Sequence, residues 1–231
     1  MFTTASTPTR HLFRDNVVLQ GLLGGYVVFW AAMGLMPTNP SAWLLLNLLP
    51  VLFVAALALT HRRYPLSDMA YLCIAVFLTL HAIGSHYAYA KVPAGFWLQQ
   101  LLNVERNHFD RLVHFGFGFL MVYPLREVLI RSAKLGGFWA YSLAVSVVMA
   151  GAGLWEVAES WVAQTVRPEL GAAFLGSQGD IWDAQKDIVA AFYGSLLCTS
   201  LVVLARHLLS EETEDETEES EEPELEAALG E

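Results

Sequence analysis

The chain has 231 residues, of which 55% are hydrophobic, 12% aromatic and only 16% charged. Its mean hydropathy of +0.43 is too apolar for an ordinary soluble domain of this length. The formal charge of −10 is local: residues 211–231 hold twelve acids and no Lys or Arg, leaving 13 bases against 11 acids elsewhere.

Polar Met1–Asn16 precedes the first apolar run, which lacks a small-x-small exit and so predicts no cleaved leader. Six stretches are long and apolar enough to span about 30 Å of hydrocarbon, near 16–36, 42–60, 68–88, 110–130, 138–160 and 184–206. Pro37-Thr38-Asn39-Pro40 marks a turn between the first two, and Leu135-Gly136-Gly137 separates the fourth and fifth. The connectors 89–109 and 161–183 carry the Trp, Tyr, Gly and Pro of interfacial loops. Cys73 and Cys198 sit inside apolar runs and read as packing residues, with no disulfide or metal motif around them. The acidic, aromatic-free segment 207–231 predicts a disordered tail. The expected fold is therefore all-α: a cytoplasmic segment 1–15, a polytopic six-helix transmembrane bundle 16–206, and the tail.

Basic residues set the expected orientation. With the N-terminus cytoplasmic, Arg10, Arg14, Arg62, Arg63, Arg126, Arg131, Lys134 and Arg206 lie inside. Lys91, Arg106, Arg111, Arg167 and Lys186 lie outside or at the outer boundary. That bias predicts a multi-pass protein of a bacterial inner membrane with both termini cytoplasmic.

On this topology His86, Asp110, Glu159 and Asp183 approach the outer face, with His81, His114, Glu156 and Asp187 about one turn deeper. Intramembrane charge costs roughly 2.5–3.5 kcal/mol per ionised Asp, Lys or Arg at a helix centre even on the gentler insertion scale. Repeating that cost at one depth on four helices points to a shared polar site. Asp110 and His114 are four residues apart, Glu156 and Glu159 three, and Asp183 and Asp187 four, so each pair shares one helix face. Histidine with carboxylates suits a divalent Zn²⁺, Mn²⁺ or Fe²⁺. The expected ligands are His81, Asp110, His114 and Asp187, with Glu156 as general base on a bound water.

The same residues carry other readings. Asp183 could cap a helix, and His81 could be a hydrogen-bonded core histidine. Arg111 and Lys186 could tie the acids into an ion-pair network, or the acids and histidines could relay protons through a transporter. The nearly featureless inner halves of the helices disfavour a path across the membrane. His-Glu-x-x-His and Gly-x-Ser-x-Gly are missing, as are phosphate loops and dinucleotide fingerprints. No basic patch suggests nucleic acid, so membrane lipids are the expected partners, with the oligomeric state open.

The runs His81–Tyr89, Asn107–Phe115, Trp155–Glu159 and Gly176–Asp187 resemble the YjdF-like family of bacterial inner-membrane proteins, over about residues 15–206. The pattern is more distantly similar to VanZ-like membrane proteins, with Asp110, His114 and Phe115, then Glu156, then Asp187 before Gly194 as counterparts. The first resemblance implies no established activity. The second implies a role at the outer leaflet or its lipids. Together with the polar pairs, this yields two expectations: a metal-dependent enzyme on a lipid or lipid-linked envelope substrate, or a non-enzymatic ion- or proton-coupled transporter or lipid-binding protein.

Overall fold

The computed structural model describes residues 13–229, with side chains described to Leu209 except that of Leu102. It consists of a short 3-10 turn, Phe13–Asp15, and eight helices: α1 (Val17–Met33), α2 (Pro40–Thr60), α3 (Asp68–His86), α4 (Pro93–Leu102), α5 (Phe109–Ser132), α6 (Gly137–Thr165), α7 (Pro168–Leu175) and α8 (Asp183–Leu229). No strand occurs among the described residues.

Helix ends follow local chemistry. Asn16, Asn39 and Ser67 cap α1, α2 and α3 by accepting from the backbone N–H of Leu19, Ala42 and Ala70. Pro40, Pro93 and Pro168 open α2, α4 and α7, where a missing N–H costs nothing. The two long connectors are not plain interfacial loops: they contain α4 and α7. Both carry apolar residues at helical spacing and end on left-handed residues, Asn103 and Gly176.

Five helices are long and apolar enough to cross a membrane: α2, α3, α5, α6 and the first part of α8, Asp183–Leu209. The expected sixth, 16–36, shortens to the 17 residues of α1 between its Asn16 cap and Gly34. At 1.5 Å per residue α1 rises about 25 Å, less than the roughly 30 Å of a hydrocarbon core. The acidic segment expected to be disordered continues α8 as backbone to Leu229. Its Glu, Ala and Leu are good helix formers, and its side chains lie outside those described. The N-terminal residues 1–12 likewise lie outside the described residues.

Helix α5 is the centre of the bundle, packed against α3, α6 and α8. Its contact with α8 is made by glycine. A Cβ on Gly118 would stand 1.8 Å from the Ala191 carbonyl oxygen, and one on Gly194 would stand 2.1 Å from that of Phe115. The two backbones therefore touch across a reciprocal pair of missing side chains, the small-residue packing expected between membrane helices. Val28, Leu44 and Leu52 face outward as a lipid-facing surface, while Leu46, Val148 and Ala191 are fully buried.

Candidate functional site

The glycine contact fixes the first turns of α5 and α8 side by side, and the chemistry-bearing residues gather there. Asp110 and His114 lie one above the other on α5, Asp187 faces them from α8, and Glu156 reaches in from α6. His114 Nε2 is 3.4 Å from Glu156 Oε1 and 3.8 Å from Asp110 Oδ1. Asp110, His114 and Asp187 each offer a ligand atom within 4.8 Å of the other two. All three side chains are buried, Asp187 to 2% exposure.

Two arginines cover this cluster. Arg111 spans three acids, with Nη2 at 3.1 Å from Asp180 and 2.8 Å from Asp183, and Nη1 at 2.8 Å from Asp187 Oδ2. Its Nη1 also donates to the Asp183 carbonyl. Arg106 lies 2.6 Å from Asp183 and 3.6 Å from Asp110, and donates to the Ser177 carbonyl. Lys186 closes on Asp180 at 2.7 Å. A planar guanidinium with five donors can bridge carboxylates in this way, whereas an ammonium cannot. The ion-pair reading of Arg111 and Lys186 is thus realised in the structure.

The pairing leaves donor atoms unused. Glu156 Oε1 and Asp187 Oδ1 are buried and form no hydrogen bond. Six carboxyls, on Asp110, Glu156, Glu159, Asp180, Asp183 and Asp187, face three permanent cations, on Arg106, Arg111 and Lys186. Buried charge without a partner is costly. A cluster with surplus carboxylates and unspent oxygens around one imidazole suits a cation. Ligands of a tetrahedral metal stand about 3.4 Å apart at bond lengths near 2.1 Å, close to the 3.8 Å between His114 Nε2 and Asp110 Oδ1.

The roof of the site is held by side-chain clamps. Asn107 and Gln178 exchange hydrogen bonds: Asn107 N–H donates to Gln178 Oε1 at 3.1 Å, and Gln178 Nε2 donates to Asn107 O at 3.0 Å. Asn107 Oδ1 accepts from Phe109 N–H, and its Nδ2 donates to Val92 O. Gly95 makes room for it, since a Cβ there would fall 1.7 Å from Asn107 Oδ1. Outside the spans, Lys186 hydrogen bonding holds the Asp180 carboxyl below its usual range, and partial burial lowers His108.

Two expected site residues play other parts. His81 Nε2 lies 3.1 Å from the Leu46 carbonyl and must donate to it, so Nδ1 accepts the Tyr89 hydroxyl at 2.6 Å. With both nitrogens engaged, His81 is a core histidine beside the site and outside the ligand cluster. His86 is further removed: its Nδ1 donates to the Met33 carbonyl at 2.8 Å, closing the end of α1. Glu159 is partly buried on α6, within electrostatic reach of Asp110, Glu156 and Asp187. Asp183 serves in the salt-bridge layer above Asp187.

Spacing and residue type gave Tyr89, Asn107, Gln178, Arg106 and Trp155 no role in the site, although all but Arg106 fall inside the runs shared with the YjdF-like family. Tyr89 follows α3 in a left-handed conformation, φ 54°, and folds back over Gly84. A Cβ on Gly84 would come within 2.6 Å of its ring. Burial pushes the Tyr89 hydroxyl well above its ordinary pKa, with the negative charges of Asp110, Glu159 and Asp187 adding to the shift. Its signal in the sequence is its place at the end of the His81–Tyr89 run.

Below the cluster lies a cavity of about 250 Å³. Its polar end is formed by His81, Tyr89, Asp110 and His114, and its remainder is apolar, including Phe53, Phe117, Met121 and Trp155. A wider cleft of about 880 Å³ lies between α1, α2 and α3, with Arg14, His61 and Arg62 among its lining residues.

Residues 18–208 match the family model DUF2238, described as a predicted membrane protein. The inner membrane protein YjdF of Escherichia coli (strain K12) is 37% identical over 176 residues, which is 75% of this chain and 82% of that protein. No solved structure matches.

Proposed function

Since the chain belongs to the DUF2238 family of predicted membrane proteins, we propose that it is an inner-membrane protein whose outward-facing polar cluster binds a divalent metal and acts on a lipid or lipid-linked envelope substrate. Asp110, His114 and Asp187 are the ligands, and Glu156 is the general base. The single observation that carries this reading is the pair of buried, hydrogen-bond-free oxygens, Glu156 Oε1 and Asp187 Oδ1, around His114.

The inner-membrane placement rests on likeness to YjdF. Orientation with both termini cytoplasmic is supported by the course of short α1 between the two ends of the bundle, where Asn16 Nδ2 donates to Asp68 at one end and His86 donates to Met33 O at the other, and by the bases at the end away from the site. Arg62, Arg63 and Lys134 are exposed there, whereas Arg106, Arg111 and Lys186 at the site end are matched by acids.

A bound Zn²⁺, Mn²⁺ or Fe²⁺ would supply Lewis acidity and an activated water. The chain's own groups do the rest. Arg111 holds Asp187 Oδ2 and leaves Oδ1 turned to the cluster. Arg106 restrains Asp110 in the same sense. Glu156 is placed to take a proton from a water beside His114.

Elemental analysis of detergent-purified protein tests the reading. Near-stoichiometric metal in wild type, lost in folded His114→Ala and Asp110→Asn, is the expected result. Folded wild type that stays metal-free after resupply of all three ions overturns it.

A second reading, ion- or proton-coupled transport, has one observation in its favour. Leu78 lines both the cavity under the site and the wide cleft from the other end. Leu78 thus borders both spaces, and it packs in one buried cluster with Ile74 and Met121. Transport predicts proton or cation flux in reconstituted vesicles that rises in Leu78→Ala; an absence of flux in both proteins removes it.

A further inference from the structure

Ligand sites in membrane bundles are reached either from water or from the side. Here the cavity's walls decide. It is bounded by α2 (Leu49, Pro50, Phe53), α3 (Phe77, Leu78, His81), α5 (Asp110 to Met121) and α6 (Gly151, Ala152, Trp155). Helix α2 packs on α3 and α7, and α6 on α5, α7 and α8. The two helices that face each other across the cavity, α2 and α6, therefore do not form one of the bundle's main contacts; α7 bridges them at the site end, where Phe174 packs with Leu46 and Trp155, and the seam lies below it. Leu49, at that edge, is 53% exposed on the lipid-facing surface. The roof, by contrast, is closed by Arg106, Arg111 and the Asn107–Gln178 clamp.

We infer that the seam between α2 and α6 is a lateral portal, and that the cavity takes one hydrocarbon chain of a membrane lipid from the surrounding leaflet. This rests on the reading of the Asp110–His114–Asp187 cluster as the reactive site, and it names the substrate class. From Asp110 to Met121 the cavity wall covers twelve residues of α5, about 16 Å of helix rise, roughly half the hydrocarbon thickness. A chain lying there runs from the polar cluster to the bilayer midplane.

The volume selects a single chain. A dry cavity of about 150 Å³ lined by aliphatic side chains holds benzene. At about 250 Å³ this one holds a longer apolar group but not two chains side by side. The second chain of a diacyl lipid stays outside, along Leu49 and Leu52. The bond nearest the headgroup then lies beside Asp110 and His114, at the polar end. Tyr89, whose hydroxyl donates to His81 Nδ1, lines the same polar end.

Photocrosslinking in nanodiscs tests this with two probes carrying a diazirine near the chain end, a diacyl phosphatidylglycerol and a polyprenyl phosphate. Adducts on Phe53, Phe117 or Met121 from either probe are expected, and whichever probe gives them identifies the chain as acyl or prenyl. Ala152→Leu, which fills the cavity, and Leu49→Trp, which blocks its exposed rim, should each lower those adducts by about tenfold. Adducts on outward-facing Val28 and Leu44 should stay unchanged. Adducts confined to outward-facing residues, or cavity adducts undiminished by both substitutions, overturn the portal. Metal content measured on the same samples separates the two claims. Cavity adducts without metal sink the metal reading and keep the portal; metal without cavity adducts does the reverse.

Discussion

The contact of α5 with α8 at Gly118 and Gly194 predicts that a single methyl group, about one turn from His114, will disable the site. In Gly118→Ala the new Cβ would start 1.8 Å from the Ala191 carbonyl oxygen, where ordinary contact begins at 3.4 Å. The helices must therefore part by at least about 1.6 Å at the crossing, since a backbone oxygen cannot swing aside as a side chain can. Overpacking of this kind costs about 1–3 kcal/mol, from which the higher helix propensity of Ala returns about 0.5–1. At about 2–4 °C per kcal/mol for a chain of this size, melting falls by several degrees. The functional loss should be larger than the stability loss. Asp187 rides on α8 and its partners on α5, and a 1 Å misplacement of catalytic groups can cost about 100-fold in rate. The assay is thermal unfolding together with bound metal for Gly118→Ala and Gly194→Ala. Gly153→Ala serves as control, because its Cβ meets nothing within 4 Å and should be neutral or slightly stabilising. Wild-type melting and metal content in both crossing variants would refute the claim that this contact assembles the site.

Three further outcomes follow from the layers around the cluster. Arg111→Lys keeps the charge but cannot span Asp180, Asp183 and Asp187; thermal unfolding should show a loss of about 1.5–3 kcal/mol for each charge-assisted bond not replaced, and metal titration a fall of about 10–100-fold in affinity. Tyr89→Phe should soften alkaline unfolding. Burial raises the Tyr89 pKa above its unfolded value of 10.0, so the folded state holds this proton more tightly and loses that stability as pH rises past about 10; melting curves between pH 8 and pH 11, with equal alkaline sensitivity in both proteins counting against it, decide the matter. Lys186→Met should blunt acid sensitivity. Because Lys186 holds the Asp180 pKa below its ordinary 3.8, the contribution is present above that value and lost as pH falls through the lower, folded one; an unchanged acid limb in melting curves would contradict it.

Hydrophobic run length determined that the chain is helical and lives in a membrane, because unsatisfied backbone in hydrocarbon leaves few alternatives to helices. It also located the long helices α2, α3, α5 and α6 to within a few residues, except at the C-terminal end of α6, which runs on to Thr165. Helical spacing alone put Asp110 with His114, and Glu156 with Glu159, on common faces. Depth, however, is a one-dimensional quantity. His81 and His86 share the depth of the cluster, yet one donates to Leu46 O and the other to Met33 O, partners that no spacing rule brings near. What distinguishes His114 from His81 is rotation about the helix axis relative to neighbours, which only packing sets.

The same limit explains the short helices in the connectors. Helix α7 folds back on α6 where Gly171 meets the Ala163 backbone, and α4 seats against Asn107 through Gly95. Those close approaches are visible only once both surfaces are in place. Sequence therefore determined the solvent of each segment and the chemical types available to a site, because both depend on residues taken singly or at helical spacing. Tertiary structure decided which carboxylates are spent on Arg106 and Arg111 and which oxygens remain free. Those assignments depend on contacts between side chains as many as 72 residues apart, and local sequence carries no record of such distances.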